Sequence, residues 1–275
     1  MGELFVRATA NDLDTVENAL EAVTAVAPQI HIKAYFMEVR KGTLSGFGLE
    51  SVISVTNQTV QSNQVAGLVG ILTENNFKTV WHNLETRPGV EIFAEPEVVT
   101  TSGRQTQMRA TQIISAVTDF TFQKRGVIST DSIEPQMSKV EIGPVLDVVP
   151  YVLSDGYMIN LKVTPSLVEF LGYDKPPDEP HSRFDPHVQL PVVLPSFRVR
   201  QTVATLNLWD GQTVILEGLP EKDYVSGKET FVRQKSSDKE LLVFITVTLV
   251  DPAGNRIHTD EELPFAKDGI PSQPK

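Results

Sequence analysis

Apolar residues first recur at helical spacing, at Leu13, Val16, Leu20 and Val23, behind Asn11 as a cap with acidic residues in the first turn. That predicts one amphipathic helix ending before Pro28, preceded by a short strand over residues 3–8. In residues 30–40 (IHIKAYFMEVR) the period changes to two. Ile30, Ile32, Ala34 and Phe36 take one face and His31, Lys33 and Tyr35 the other, the pattern of a strand. Residues 41–64 are rich in Gly, Ser, Thr, Asn and Gln and predict a long irregular hairpin or loop. A second helix is marked by Thr73 as cap, a stripe of Phe77, Val80, Trp81 and Leu84, and Arg87-Pro88-Gly89 as its stop.

From there to residue 250 only strand-like runs follow, over residues 90–94, 97–101, 105–110, 117–123, 139–149, 157–164, 197–208, 212–217 and 241–250. Ser154-Asp155-Gly156 and Trp209-Asp210-Gly211 are turn signals, each predicted to join antiparallel hairpin partners. Residues 171–195 hold six prolines, and residues 220–239 are polar and charged with little period. The first reads as a long loop or hairpin tip, because proline cannot donate to a ladder, and the second as a break in the rhythm of strands. After residue 251 the chain turns hydrophilic, with a frayed end expected over residues 268–275.

Composition narrows the function classes. The chain has 275 residues, 40% of them apolar, ample for a core. Lys and Arg total 24 against 35 Asp and Glu, and a net charge of −11 repels a polyphosphate backbone, so no nucleic-acid partner is predicted. With no cysteine, thiol nucleophiles, zinc–thiolate sites and disulfides are excluded. The most apolar window, residues 241–250 (LLVFITVTLV), is about half the ~20 residues a membrane-spanning helix needs, so any crossing must use strands. MGELFVRATA has neither a basic nor an apolar leader region, so this chain carries no signal peptide, and it opens in what reads as mid-domain with further sequence expected upstream.

Candidate chemistry is thin. His181 and His187, with Asp174, Asp178, Glu179 and Asp185, share the proline-rich loop, but their spacing fixes no coordination geometry, and no metal site is predicted. His31 and His82 fall on polar faces. Of the carboxylates Asp147, Asp155 and Asp210, the last two sit in Asp-Gly turns, where aspartate serves the backbone. Ser-x-x-Lys, Gly-x-Ser-x-Gly, phosphate-cradling glycine loops and His-Glu-x-x-His are all missing. No catalytic residue and no cofactor is predicted.

Several segments, in order, resemble the barrel domain of the bacterial secretin family. PQIHIKAYFMEV is similar to its opening strand. EIFAEPEVVTTSGRQTQMRA is similar to its strand–Pro–strand–turn segment, and VEIGPVLDVVPYVLSDGYMINLKVTPSLVEF to its Gly, short strand, Pro, Asp-Gly turn and long strand. FRVRQTVATLNLWDGQTVILEGL resembles its "DGQTVVLGGL"-like hairpin and KELLVFITVTLVD its closing strand. The resemblance covers roughly residues 3–252. Where the family carries a "VPxLGDIPxLGxLF"-like segment, this chain has PEKDYVSGKETFVRQKSSDKE, so that segment's gate or wall-packing role is not carried over.

The resemblance implies a mainly β (α+β) fold: a secretin-type antiparallel β domain contributing strands to an oligomeric β-barrel, with two helices. Residues 1–27 would be the remnant of a small α/β ring-forming domain, 28–252 the secretin β domain and 253–275 a polar tail. The function implied is a structural subunit of a homo-oligomeric channel for protein secretion or pilus passage, in the outer membrane with a periplasmic portion. Its partners would be identical copies, secretion or pilus machinery and outer-membrane lipid. Val188, Leu190, Val192, Val193 and Leu194, with Trp209, are the candidate membrane contact, and Gly42, Gly46 and Gly48 the candidate gate loop. The doubly apolar LLVFITVTLV fits a strand covered on both faces, in a double wall or in a sandwich core. Two rivals stand beside the channel: a monomeric β-sandwich binding module, and a periplasmic assembly ring without a membrane pore.

Overall fold

The structure, a computed structural model, describes residues 6–24, 27–40, 54–55, 69–123, 132–173, 195–219, 221–225, 228–229, 239–259 and 261–263. Among these residues it is mainly antiparallel β, with two sheets and two helices.

The first sheet is built around β1 (Gln29–Arg40) and β15 (Lys239–Val250), which pair over their whole length from Gln29↔Val250 to Arg40↔Lys239. Beyond β15 lie β12 (Thr213–Leu216), β3 (Val69–Leu72) and β2 (Ser54–Val55). On the far side of β1, β5 (Glu97–Thr101) pairs with its first half and β4 (Glu91–Ala94) with its second. The second sheet has β8 (Ser132–Val152) and β9 (Met158–Tyr173) at its centre. Here too the flanking strands come in halves: β6 (Thr106–Arg109) and β7 (Gln112–Gln123) share β8, while β11 (Ala204–Trp209) and β10 (Pro195–Gln201) share β9. β13 (Glu221–Val225) lines the outside of β10, and β14 (Lys228–Glu229) lines β13.

The sheets face one another across the main core. Ile30, Ile32, Ala34 and Phe36 of β1 and alternate residues of β15 meet Leu146, Val148, Ile159, Leu161, Val163, Leu206 and Leu208. The other face of the first sheet is covered by α2 (Glu74–Glu85), whose Val80 and Leu84 are buried with Met37, Val39, Leu72, Ile215, Leu242 and Phe244. Thr73 caps this helix, its Oγ1 accepting from Asn76 N at 3.4 Å. Between α2 and the second sheet, β15 is covered on both sides, which is why LLVFITVTLV is apolar at both parities. That cover comes from this one chain, so no double wall between copies is needed for it.

Several expectations are corrected. Residues 6–8 form no strand, since they meet no partner to complete a ladder, and residues 1–5 lie outside the described residues. α1 (Ala10–Thr24) is capped by Thr9, which receives Asp12 N at 3.4 Å, two residues before the expected Asn11. The run expected over 197–208 is two strands, broken at Thr202-Val203. Asp210-Gly211 does not close a hairpin. β11 pairs with β9 and β12 with β15, so the turn carries the chain from one sheet to the other. Finally, the charged stretch 220–239 contains β13 and β14.

Candidate channel-forming surfaces

One line of irregularity crosses the second sheet. Pro144 in β8 and Pro165 in β9 lie two ladder positions apart, opposite Leu167 and Leu146 respectively. Proline offers no N–H, so the strand beside it has nothing to accept from and is free to break there. Both flanking strands do break at this level. Ala110 N donates to Pro144 O at 3.1 Å between β6 and β7, and Thr202 N donates to Pro165 O at 3.3 Å between β10 and β11. Next to this seam, Gly143 adopts φ +120°, and a Cβ there would stand 2.7 Å from Ala110 O. Only glycine fits that close approach without strain.

Below the seam the sheet packs on the core; above it the sheet divides into two arms. The β8–β9 ladder ends at Gly143↔Val168. One arm is β7 with the first half of β8, paired from Gln112↔Ile142 to Gln123↔Ser132. The other is the second half of β9 with β10 and β13. Strands four abreast in a flat sheet would put β7 and β10 about 14 Å apart at ~4.8 Å per strand. They approach within 8 Å at the Cα, so this sheet is curled. Both arms expose large apolar side chains: Ile113 (68% exposed) and Met137 (61%) on the first, Leu171 and Tyr173 on the second. β7 also leaves its outer edge without a ladder partner among the described residues.

Between the bases of the arms opens a pocket of about 410 Å³, lined on one side by Ala110, Thr111, Gln112, Ile142, Gly143 and Pro144 and on the other by Leu167, Val168 and Glu169, with Glu38, Glu91 and Phe93 from the first sheet. A charge cluster stands at its rim. Arg200 of β10 is 1% exposed. Its Nη1 donates to Glu38 Oε1 at 2.8 Å, its Nη2 lies 3.4 Å from Glu169 Oε2, and its Nε lies 3.2 Å from Glu221 Oε1, within ion-pair range but without hydrogen-bond alignment. Lys239 Nζ donates to Glu38 Oε2 at 3.0 Å, and Arg198 Nε to Asp223 Oδ1 at 3.0 Å. Arg200 thus ties the second sheet to β1 of the first. Burial pushes the Glu38 carboxyl up, but its bonds to Lys239 and Arg200 outweigh that and hold it below the usual carboxylate range. Glu169 goes the other way: burial, with the nearby charges of Glu38 and Glu221, raises it despite Arg200 and Arg198.

The second pinned region is the crossover. Asp210 is fully buried, receives Leu249 N on Oδ1 at 2.8 Å and holds His258 Nδ1 at 2.9 Å on Oδ2. Tyr157 stacks on His258 at 4.3 Å between ring centroids, and Ile257 N donates to Leu249 O, so residues after β15 fold back over the turn. Asp155, by contrast, only receives Tyr157 N and Met158 N within its own turn, and Asp147 receives Gln105. No group of three or more His, Asp or Glu with metal-binding geometry occurs among the described residues.

Of the residues singled out from sequence, Val188, Leu190, Val192, Val193 and Leu194, Gly42, Gly46 and Gly48, and His181 and His187 lie outside the described residues. Trp209 is described and half-buried, at the end of β11 opposite Met158. Pro195, next to Leu194 in the chain, pairs with Tyr173 at the other end of β9. An extended strand of 16 residues spans about 50 Å, so the length of β9 lies between Trp209 and Pro195. His31 lies 3.7 Å from Glu97, and His82 is exposed. Sequence reasoning missed the cluster around Arg200. Its signal was there: Arg198 and Arg200 share one parity of a strand, and Glu38 and Glu169 are lone acids in apolar strands.

Residues 83–231 match the family model for Secretin, described as bacterial type II and III secretion system protein. No curated protein sequence matches the chain. Among solved structures it is similar to the type II secretion system secretin GspD of E. coli K12 (12% identity, TM-score 0.39, covering 90% of this chain and 56% of that one). It is likewise similar to the V. cholerae type IV competence pilus secretin PilQ (11%, 0.37, 88% and 65%) and the Salmonella SPI-1 type III injectisome secretin InvG (10%, 0.32, 89% and 71%). The chain spans a little over half the length of the E. coli secretin.

Proposed function

The chain belongs to the bacterial secretin family, and from that premise we propose that it is a structural subunit of a homo-oligomeric channel for protein secretion or pilus passage across the bacterial outer membrane, without enzymatic activity. The observation that carries this reading is the first arm: a 12-residue strand, β7, with a bare outer edge beside exposed Ile113 and Met137. Such an edge is a template for pairing with another chain, and joining edges around a ring removes the liability. In this reading the arms surround a lumen, the sandwich below the seam is each subunit's anchor, and a periplasmic portion joins the secretion or pilus machinery. Residues 1–27 belong to a ring-forming domain that precedes the channel domain of residues 28–252, and 253–275 form its tail. Val188, Leu190, Val192, Val193 and Leu194 reach outer-membrane lipid, and the loop with Gly42, Gly46 and Gly48 serves as gate.

Electron microscopy of the purified chain tests this. Rings of many copies are expected, and a uniformly monomeric particle would sink the reading in favour of the sandwich-module rival, whose support is the core completed within one chain. Deleting residues 174–194 should abolish liposome association while leaving rings intact. If the intact ring itself floats free of liposomes, the periplasmic ring without a pore becomes the better reading.

A further inference from the structure

We propose that β13–β14 is an edge guard: it occupies the side of β10 that receives β7 of a second copy, and leaves that side when copies assemble. This rests on the ring reading above. A ring of identical subunits joins one flank of each sheet to the opposite flank of the next. Here the flanks are β7, bare on its outer side among the described residues, and β10, whose outer side is covered from Ser196 to Arg200 by β13.

Strand direction decides which surface fits. β7, β8, β9 and β10 alternate in direction, since each pairs antiparallel with the next. A neighbouring β7 laid on β10 therefore continues the alternation, with four strands per copy and an even total, as closed antiparallel barrels require. β13 is antiparallel to β10 and so runs parallel to that incoming β7; seated on β13, it would make one parallel junction per copy. β14 has the right direction but is two residues long. β11 shares the direction of β10 but lies below the seam, so among the described residues at the level of the arms the β10 edge is the one that offers both direction and length.

The guard has the character of an edge blocker. It is short and charged (EKDYV), and to its five-pair backbone ladder with β10 it adds ionic ties, Asp223 on Arg198 at 3.0 Å and Glu221 on Arg200 at 3.2 Å. On release Arg200 keeps Glu38 and Glu169. Arg198 loses Asp223, and the incoming β7 carries one ionisable residue, Asp119, of the same sign.

The chain has no cysteine, so a cross-link is easily introduced. Val199 and Lys222 are ladder partners, close enough for a disulfide. The Val199→Cys/Lys222→Cys chain, oxidised, should stay monomeric on size exclusion and in micrographs, and form rings once reduced. Rings from the oxidised chain, with the cross-link verified by mass, would overturn the guard but leave the channel reading standing. Failure of the unmodified chain to form rings would overturn both. Asp223→Asn, which removes one tie without touching the core, should assemble several-fold faster, and an unchanged or slower rate counts against the proposal.

Discussion

Arg200 is a buried cation among the largest fully buried side chains. A guanidinium 1% exposed is tolerated only because three carboxylates surround it. Replacing it with Met keeps the volume but takes the cation from beside Glu169 and one of their partners from Glu38 and Glu221, and chemical denaturation should show a loss of about 3–5 kcal/mol. Glu217 behaves oppositely. Burial first, and then the charge and hydrogen bond of Glu240, raise its pKa. A carboxyl raised in the folded state binds more protons there than when unfolded. Stability therefore falls as pH rises from its ordinary value through the raised one, and the penalty is complete above the raised value. Glu217→Gln should raise the melting temperature at pH 7 and change it little at pH 4. The shift of Glu38 has the reverse sign: its stabilisation is present above the ordinary carboxylate pKa and lost as acid takes pH below it.

At the scale of elements, Gly143 sets where β8 passes from one partner to the next. Gly143→Ala forces a Cβ to within 2.7 Å of a backbone oxygen at φ +120°, and thermal unfolding should reveal a loss of about 1–3 kcal/mol. The elements legible in sequence were those packed on the core, with one apolar face or, in β15, two. β1 alternates against the core, and α2 shows its stripe because the first sheet buries it. Strands that leave the core were read too short. β8 begins at Ser132, not residue 139, because its arm exposes residues such as Met137 and no alternation is enforced there. β13 was missed for a related reason, since a charged edge strand has no apolar face to announce it. The crossover at Asp210-Gly211 was misread because an Asp-Gly turn looks the same whether the chain returns to its own sheet or jumps to another. The break at Thr202-Val203 is set by Pro165, distant in sequence, and leaves no local mark.

For the whole molecule, the division of labour follows the seam. Below it two sheets and a helix complete a core within one chain; above it the arms expose apolar surface. The Arg200 cluster sits on that boundary. Loosening it on the side of the first sheet, as in Glu38→Gln, should therefore lower ring yield more than one expects from monomer unfolding alone, measurable as the fraction of ring particles at a denaturant concentration where the core stays folded. The edge that makes rings attractive was legible only as a resemblance, because pairing between copies is a property of topology and not of any residue type.

The seam of Pro144, Pro165 and the two strand breaks also has a mechanical side. A β-sheet resists bending through its rows of cross-strand hydrogen bonds, and here two donors are missing two ladder positions apart while both bordering strands are cut. The compliance of each subunit is concentrated in that crease. A wide object pushing outward on the walls would tilt the arms about it while every ladder within them stays whole. Amide hydrogen exchange should accordingly be faster at Ala110 and Thr202 than at residues two positions to either side.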